Sequence, residues 1–473
     1  MDRERTRAVV PPYLLDRIAS AERFRSASAA ARRTLLTQSP GRSAVIAATG
    51  TPREQPRSAA ASRSLRREVY DAKHAQSLPG ALVRAEGAPA ADDVAVNEAY
   101  DGLGKTYALY RDVYGRDSID GAGMPLLASV HYGTDYDNAF WDGTRMVFGD
   151  GDGEVFRRFT ISVSVIGHEL THGVTERTAA LRYQGQSGAL NESVSDVFGC
   201  LVEQYALGQS VDQATWLVGA GLFTDEVQGI ALRSMKAPGT AYDDDVLGKD
   251  PQPATMAGYV DTTDDEGGVH INSGIPNRAF YLTAEALGGH AWDRAGAVWY
   301  ATLTGGRLAA DATFEDFASL TVTTAEEGFD ATVASAVRDA WQTVGVLGAS
   351  ASTGTSHTPP AAPAGARKPE TVSVERSGGV TGIPRAWRVD VAAQPDPDAW
   401  IDLLERLPWA DAAHAGEPQG ADRFRYRIRC SPPPRAIDDA DAQIEVVLTE
   451  TELTASWQEL IMWVRTADGD DTA

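Results

Sequence analysis

The stretch from Ile161 to Val174 constrains this chain more than any other. Ile161, Val165, Ile166, Leu170 and Val174 fall on one stripe of an α-helix, so the segment is expected to be buried. Within it stands His168-Glu169-Leu170-Thr171-His172, which puts three ionisable side chains on a helix bound for the core. Histidines at i and i+4 share a helical face and can aim nitrogens at one ion, while Glu169 reaches a water on that ion. The H-E-x-x-H spacing fits zinc; the bland alternative is a surface helix with two solvated histidines.

A zinc ion that does chemistry wants three protein ligands and an open fourth position. Asn191-Glu192-Ser193-Val194-Ser195-Asp196 follows the second histidine and opens another apolar-periodic stretch through Val197, Phe198, Cys200, Leu201 and Val202. Glu192 is the expected third ligand.

These two motifs, with Asn138-Ala139-Phe140-Trp141-Asp142-Gly143 and Gly267-Gly268-Val269-His270-Ile271-Asn272-Ser273-Gly274, resemble the thermolysin family of neutral metalloendopeptidases. The resemblance runs over about residues 68–348, and the short amino-terminal segment with Pro11-Pro12-Tyr13 is most similar to protealysin-like members. It implies zinc on His168, His172 and Glu192, with Glu169 as general base and then general acid. His270 and Tyr183 would donate to the tetrahedral oxyanion. Asp196, on the same helical face as Glu192, would accept the free N–H of His168, and Asp265 would orient His270. Glu266 departs from the asparagine common in the family.

The resemblance also implies that Asn138 and Ala139 pair with an extended peptide, and that Arg233 hydrogen-bonds the carbonyl of the residue after the cut. Phe156, Phe159, Val165 and Leu232 match positions of an apolar pocket, though each also reads as ordinary core. If they form it, cleavage falls on the amino side of large apolar residues. Calcium is possible, but the family's double calcium site is expected to be absent, because Ser164 stands where an aspartate ligand belongs and Ala206-Leu207-Gly208-Gln209-Ser210 lacks acids. Gly149-Asp150-Gly151-Asp152-Gly153 reads as a hairpin turn, and Asp243-Asp244-Asp245 as a solvated charge run. The competing functional class is a catalytically retired relative that binds or inhibits a protease.

Charge limits the partners. A net charge of -23 disfavours nucleic acid and anionic membrane, while the resemblance implies protein or peptide substrates. Yet residues 1–67 hold fourteen arginines and no lysine against five acids. Pro11-Pro12-Tyr13 with Leu14, Leu15, Ile18 and Ala21 reads as an anchor plus a short amphipathic helix. The Ala/Ser/Arg-rich remainder has little to pack. A basic propeptide over residues 1–64, lying across an acidic cleft until cut between about Gly50 and Arg67, fits this pattern better than an organelle transit peptide. Secretion is implied by the resemblance. No signal peptide is visible at Met1-Asp2-Arg3-Glu4, so a cytoplasmic or non-classically exported protein is the alternative, and no apolar run is long enough to span a bilayer.

The expected fold class is α+β, with a two-lobed catalytic unit: a β-rich lobe over 65–183 and a helical lobe over 184–348. A Pro/Ala/Ser/Thr linker covers 349–369. Over 370–473, alternating Val372/Val374, Trp387/Val389/Val391, Phe424/Tyr426/Ile428/Cys430 and Ile444/Val446/Leu448 predict strands, with helices at 400–407 and after Thr454. Ser377-Gly378-Gly379 and Asp422-Arg423-Phe424-Arg425-Tyr426 resemble emfourin, a protein inhibitor of protealysin-type peptidases; a generic accessory domain is the other reading. Cys200 and Cys430 are expected as small buried hydrophobes.

Overall fold

The protein is described by a computed structural model, which covers residues 8–38 and 65–348, and in its carboxy-terminal part 371–377, 385–391, 394, 400, 401, 403, 404, 407, 409, 425–431, 444–449 and 455–467. The chain divides into two compact units, Met1–Ala351 and Ser352–Ala473.

The first unit opens with α1 (Pro12–Ser20), started by Pro12 at its first turn, and α2 (Arg25–Gln38). Five strands follow: β1 (Arg67–Asp71), β2 (Ala81–Ala85), β3 (Leu126–Val130), β4 (Ala139–Trp141) and β5 (Met146–Phe148). They form one sheet in the order β2-β1-β3-β5-β4. β1 and β5 flank β3 in parallel, whereas β2 and β4 are antiparallel edges. Helix α3 (Val94–Ala108) lies between β2 and β3 in sequence and is capped by Asp93, whose side chain accepts from the Ala95 amide.

Beyond the sheet come α4 (Val163–Glu176) and α5 (Gly185–Leu207), which carry the two motifs. Ser162 caps α4, and Gly208 ends α5 in the left-handed conformation that glycine adopts freely. The two helices meet at glycine: a Cβ on Gly199 would stand 2.4 Å from the Ser164 carbonyl oxygen. That close crossing holds the α4 histidines against the acids of α5. Two short ribbons follow, β6 (Leu217–Val218) with β7 (Arg233–Ser234) and β8 (Asp243–Asp244) with β9 (Gly248–Lys249). The remainder of the unit is helical: α6 (Asp265–Asn272), α7 (Gly274–Leu287), α8 (Ala295–Thr304), α9 (Phe314–Gly328) and α10 (Ala331–Thr343).

The second unit contains a four-stranded antiparallel sheet of β10 (Thr371–Ser377), β11 (Arg385–Asp390), β12 (Arg425–Ser431) and β13 (Ile444–Thr449), in the order β11-β10-β12-β13. Val372, Val374, Trp387, Val389, Ile428, Cys430, Val446 and Leu448 alternate onto its buried face and join Trp457, Leu460, Ile461 and Val464 of α11 (Ala455–Ala467) in one apolar core. The fold is α+β throughout. Cys200 and Cys430 are both buried. Phe424 and, of the helix expected at 400–407, positions 402, 405 and 406 lie outside the described residues. Among those described, no helix is long and apolar enough to cross a membrane.

Two sequence expectations are corrected here. Residues 25–38, read as having little to pack, form α2, which buries Ala27, Ala30, Ala31 and Thr34. Alanine is the best helix former and its small side chain permits close approach, so low hydrophobicity does not prevent packing. The Gly149–Gly153 run is not a hairpin turn either. β5 pairs with β3 and β4, while Phe156 bridges to Phe223. The loop's acids turn inward instead: Asp152 accepts the amides of Glu154 and Val155, and Asp150 accepts from His131.

His131 spans two parts of the amino-terminal lobe, with Nδ1 2.8 Å from Asp150 Oδ1 and Nε2 2.7 Å from Asp93 Oδ2. The Asp150 hydrogen bond, helped by Asp93 and opposed by burial, raises its pKa to about 9. Its ordinary value is about 6.5, so the bridge stabilises the fold fully below pH 6.5 and the contribution is lost as pH rises toward 9. With the side chain 19% exposed, we expect His131→Asn to cost about 1–2 kcal/mol at pH 6 and little at pH 9.5. Urea midpoints at the two pH values test this; a gap independent of pH contradicts it.

Candidate active site

His168 and His172 are fully buried on α4, and their Nε2 atoms face each other at 3.2 Å. Glu192, equally buried on α5, brings its carboxylate oxygens to 3.5 Å from His168 Nε2 and 3.4 Å from His172 Nε2. Metal bonds of about 2.0–2.1 Å at tetrahedral angles put donors roughly 3.3 Å apart, so the three fit one zinc. They form the one cluster of three possible ligands found among the described residues.

The far side of each imidazole is already engaged. His168 Nδ1 lies 2.8 Å from Asp196 Oδ1, and His172 Nδ1 lies 2.8 Å from Asn191 Oδ1 and 3.1 Å from Ser195 Oγ. Such partners fix the tautomer that leaves Nε2 for a metal. Burial lowers the His168 pKa to about 4, which keeps its ring neutral and its lone pair available.

Charge balance makes the same demand. Glu169, Glu192, Asp196 and Asp265 are buried together, and the cations among them are Arg233 and His270. Burial, followed by the charge of Glu192, pushes Glu169 well above the usual carboxylate range. Burial would raise Glu192 too, but His270, His172 and His168 hold it well below. For Asp196 burial is outweighed by Arg233, leaving its pKa at about 2. Glu169 Oε1 and Glu192 Oε2 have no hydrogen-bond partner within the protein. Four buried carboxylates against two cations, with two carboxylate oxygens unpaired, suit a dication.

Asp196 also ties the site together. Its Oδ2 and Oδ1 accept from Arg233 Nε and Nη2, each at 2.8 Å, and Oδ2 accepts from Asn277 Nδ2 at 2.8 Å. Asp265 holds His270 twice, through its ring Nδ1 at 2.6 Å and its backbone amide at 2.8 Å. It can do so because Asp265, Glu266, Gly267 and Gly268 make a left-handed turn, with φ of 52°, 51°, 84° and 74°. Burial would lower the His270 pKa, but Glu192 and Asp265 outweigh it and raise it to about 9. Tyr183 donates to Glu192 Oε1 and lies 3.2 Å from His270 Nε2.

Glu266 is a poor choice for that turn, since a side chain without a short polar group strains at positive φ. We expect Glu266→Asn to stabilise the protein by about 0.5–1 kcal/mol. Thermal unfolding measures this, and a lowered midpoint contradicts it.

Across the site the chain's own amino-terminal segment pairs with edge strand β4. Ala8 bridges Phe140 in antiparallel register. The Val9 amide donates to the Ala139 carbonyl at 3.2 Å. The Val10 amide donates to Asn138 Oδ1 at 2.9 Å, and Asn138 Nδ2 donates to the Val10 carbonyl at 3.0 Å. Arg233 Nη1 donates to the Val9 carbonyl at 3.0 Å. Phe156, Phe159, Val165 and Leu232 are buried in the same continuous apolar cluster as Val9. Ser164 accepts the Gly219 amide through its hydroxyl.

The structure therefore brings His168, Glu169, His172, Tyr183, Glu192, Asp196, Arg233, Asp265 and His270 into one buried cleft, with Asn138 and Ala139 on its rim. Sequence reasoning gave no role to Asn191, Asn277 or the Trp141 amide, which donates to Glu169 Oε2 at 3.0 Å. Asn191 was within sight, one residue before Glu192 in the same motif. Asn277 is distant in sequence, and a backbone amide has no side-chain signature.

Such a cleft defines a zinc-dependent peptide hydrolase. Residues 55–176 match the family described as thermolysin metallopeptidase, catalytic domain, residues 179–346 its alpha-helical domain, and residues 374–465 emfourin. The chain is 52% identical over 339 residues to an extracellular metalloprotease of Pectobacterium carotovorum subsp. carotovorum, covering 72% of this chain and 96% of that protein. It is 49% identical over 347 residues to protease PrtS of Photorhabdus sp. (strain Az29), covering 72% and 92%. Among solved structures it is similar to the precursor of protealysin, a metalloproteinase from Serratia proteamaculans, at 51% identity and a TM-score of 0.66, covering 72% of this chain and 100% of that one. The chain belongs to the thermolysin family of zinc metalloendopeptidases, and it carries an emfourin domain at its carboxy-terminal end.

Proposed function

We propose that this protein is a latent, self-processing neutral endopeptidase in which residues 1–64 form the propeptide, 65–183 and 184–348 the two catalytic lobes, 349–369 a linker and 370–473 an inhibitor-like domain. The observation that carries this reading is the amino-terminal segment lying antiparallel on β4, with Val9 and Val10 held by Ala139, Asn138 and Arg233 beside the His168, His172 and Glu192 cluster.

His168, His172 and Glu192 would hold the zinc, which when bound lowers the pKa of a water toward 7 and polarises a peptide carbonyl. Glu169 takes the water's proton and delivers it to the departing amine; its short reach to the cleft floor is fixed by the Trp141 amide. His270, kept protonated by Asp265 and Glu192, donates to the developing oxyanion, and Tyr183 joins it. Asn138, Ala139 and Arg233 hold the substrate backbone extended just after the reacting bond. The apolar surroundings of Val9 favour cleavage before apolar residues.

The emfourin domain inhibits in cis, since a tether raises its effective concentration to the millimolar range. The mature enzyme works outside the cell, like the Pectobacterium carotovorum relative named extracellular. To test latency, peptidase activity is compared between the full chain and one ending at Ala349, each before and after removal of the amino-terminal segment. Removal should raise activity in both, more in the shorter chain. Equal activity in all four excludes both forms of inhibition.

A further inference from the structure

The amino-terminal segment does more than cover the cleft: its hydrogen bonds set a register along it. Glu169 is the group that hands a proton to a departing amine, so the amide nitrogen of the covering segment that stands beside it marks the bond in position to break. That nitrogen belongs to Val9, whose backbone amide is among the groups acting on the Glu169 carboxylate and donates to Ala139 O at 3.2 Å. On one side, Arg233 and Asn138 hold the Val9 and Val10 backbones, and Val9 and Val10 are both fully buried. On the other, Ala8 lines a cavity of about 30 Å³, room for about one water, together with Tyr183, Asp265 and His270. The Ala8 carbonyl side of the bond thus adjoins the residues assigned to the oxyanion, and the Val9 nitrogen adjoins the assigned proton donor.

From this the geometry points to the Ala8–Val9 peptide bond as a substrate of the protein's own active site: the chain cuts itself there, and the cut form stays latent. The inference rests on the roles proposed above for Glu169, His270 and Tyr183. In the step, the water oxygen bonds to the Ala8 carbonyl carbon and the C–N bond breaks. One water proton passes through Glu169 to the Val9 nitrogen and the other follows from the new carboxyl group, leaving an Ala8 carboxylate and a Val9 ammonium.

Latency survives because the anchors lie after the cut. Among the described residues, the segment is held by Asn138 and Arg233 at Val9 and Val10, by Thr34 Oγ1 accepting from the Asp137 amide at 3.0 Å, and by Glu154 accepting from the Ala27 amide at 3.0 Å. Arg33 adds an ion pair with Asp135 at 2.8 Å. All of these remain when the residues before Val9 depart. The new Val9 ammonium also faces Glu169, exchanging a neutral amide for a charge-assisted contact. Full activity then waits for a second cut, beyond α2.

N-terminal sequencing and intact mass of the full chain, purified with zinc, test this. We expect a species beginning Val-Val-Pro-Pro-Tyr with no rise in hydrolysis of a reporter peptide, and its loss in Glu169→Gln. Val9→Pro, which removes the amide that donates to Ala139, should abolish that species as well. A synthetic peptide of residues 6–15, given to the matured enzyme, should be cut between its alanine and first valine; it keeps the test open if Val9→Pro misfolds. An enzyme that hydrolyses the reporter peptide but leaves both the chain and the synthetic peptide intact at this bond overturns the inference alone. An enzyme that hydrolyses nothing overturns the proposed function. A nicked chain as active as the matured enzyme refutes the latency of the cut form.

Discussion

Glu169→Gln is expected to lower kcat for peptide hydrolysis by about 10²–10⁴-fold while zinc content and stability hold. The substitution is nearly isosteric and keeps an acceptor for the Trp141 amide, so the pocket's shape is retained. What is lost is the proton carrier. Glutamine cannot accept the water's proton, and it brings no charge into a site where four buried carboxylates face two cations. Because Glu169 is fully buried and burial raises its pKa, neutralising it should leave stability unchanged or slightly higher. Steady-state kinetics on activated protein, with zinc measured on the same sample, decides the matter; a loss of less than tenfold means that another group carries the proton.

The second large effect is expected at Asp196. It accepts from Arg233 twice, from Asn277 and from His168, all at 2.8 Å, with no exposure to solvent. Asp196→Ala leaves the Arg233 guanidinium buried without its counter-ion, which costs about 3–5 kcal/mol. It also releases His168 from the partner that sets its tautomer, so zinc affinity should fall about 10–100-fold. Arg233 in turn holds the Val9 carbonyl, so grip on extended peptides weakens with it. Chemical unfolding and zinc competition report the first two effects separately. A variant within 1 kcal/mol of the native protein would mean that Arg233 finds another acceptor.

The catalytic elements were legible because their signals are local. His168 and His172 share a turn of helix and Glu192 shares another with Asp196, so periodicity alone puts each pair on one face. The strands of the carboxy-terminal unit were legible for a similar reason: Val372/Val374 and Ile428/Cys430 alternate at period two. What stayed hidden depends on contacts across the chain. Asn277 reaches Asp196 over 81 positions, and Asn138 meets Val10 over 128. No window of sequence contains both partners. The Ala-rich helix α2 was missed for a different reason, since its stability comes from helix propensity and close packing on α1 rather than from large apolar side chains. The inward turn of Asp150 and Asp152 was missed because a Gly/Asp run looks the same whether its acids face solvent or accept buried amides.

Catalysis in this protein depends on one ion held by two helices. Zinc bound per chain, measured on full-length protein after exhaustive dialysis, addresses that claim without requiring any turnover. The account predicts one tightly held zinc in the native protein and in Glu169→Gln, and near-complete loss in His172→Ala and in Glu192→Gln, with the secondary structure of all four unchanged. Zinc retained by the His172 and Glu192 variants, or absent from the folded native protein, would contradict it.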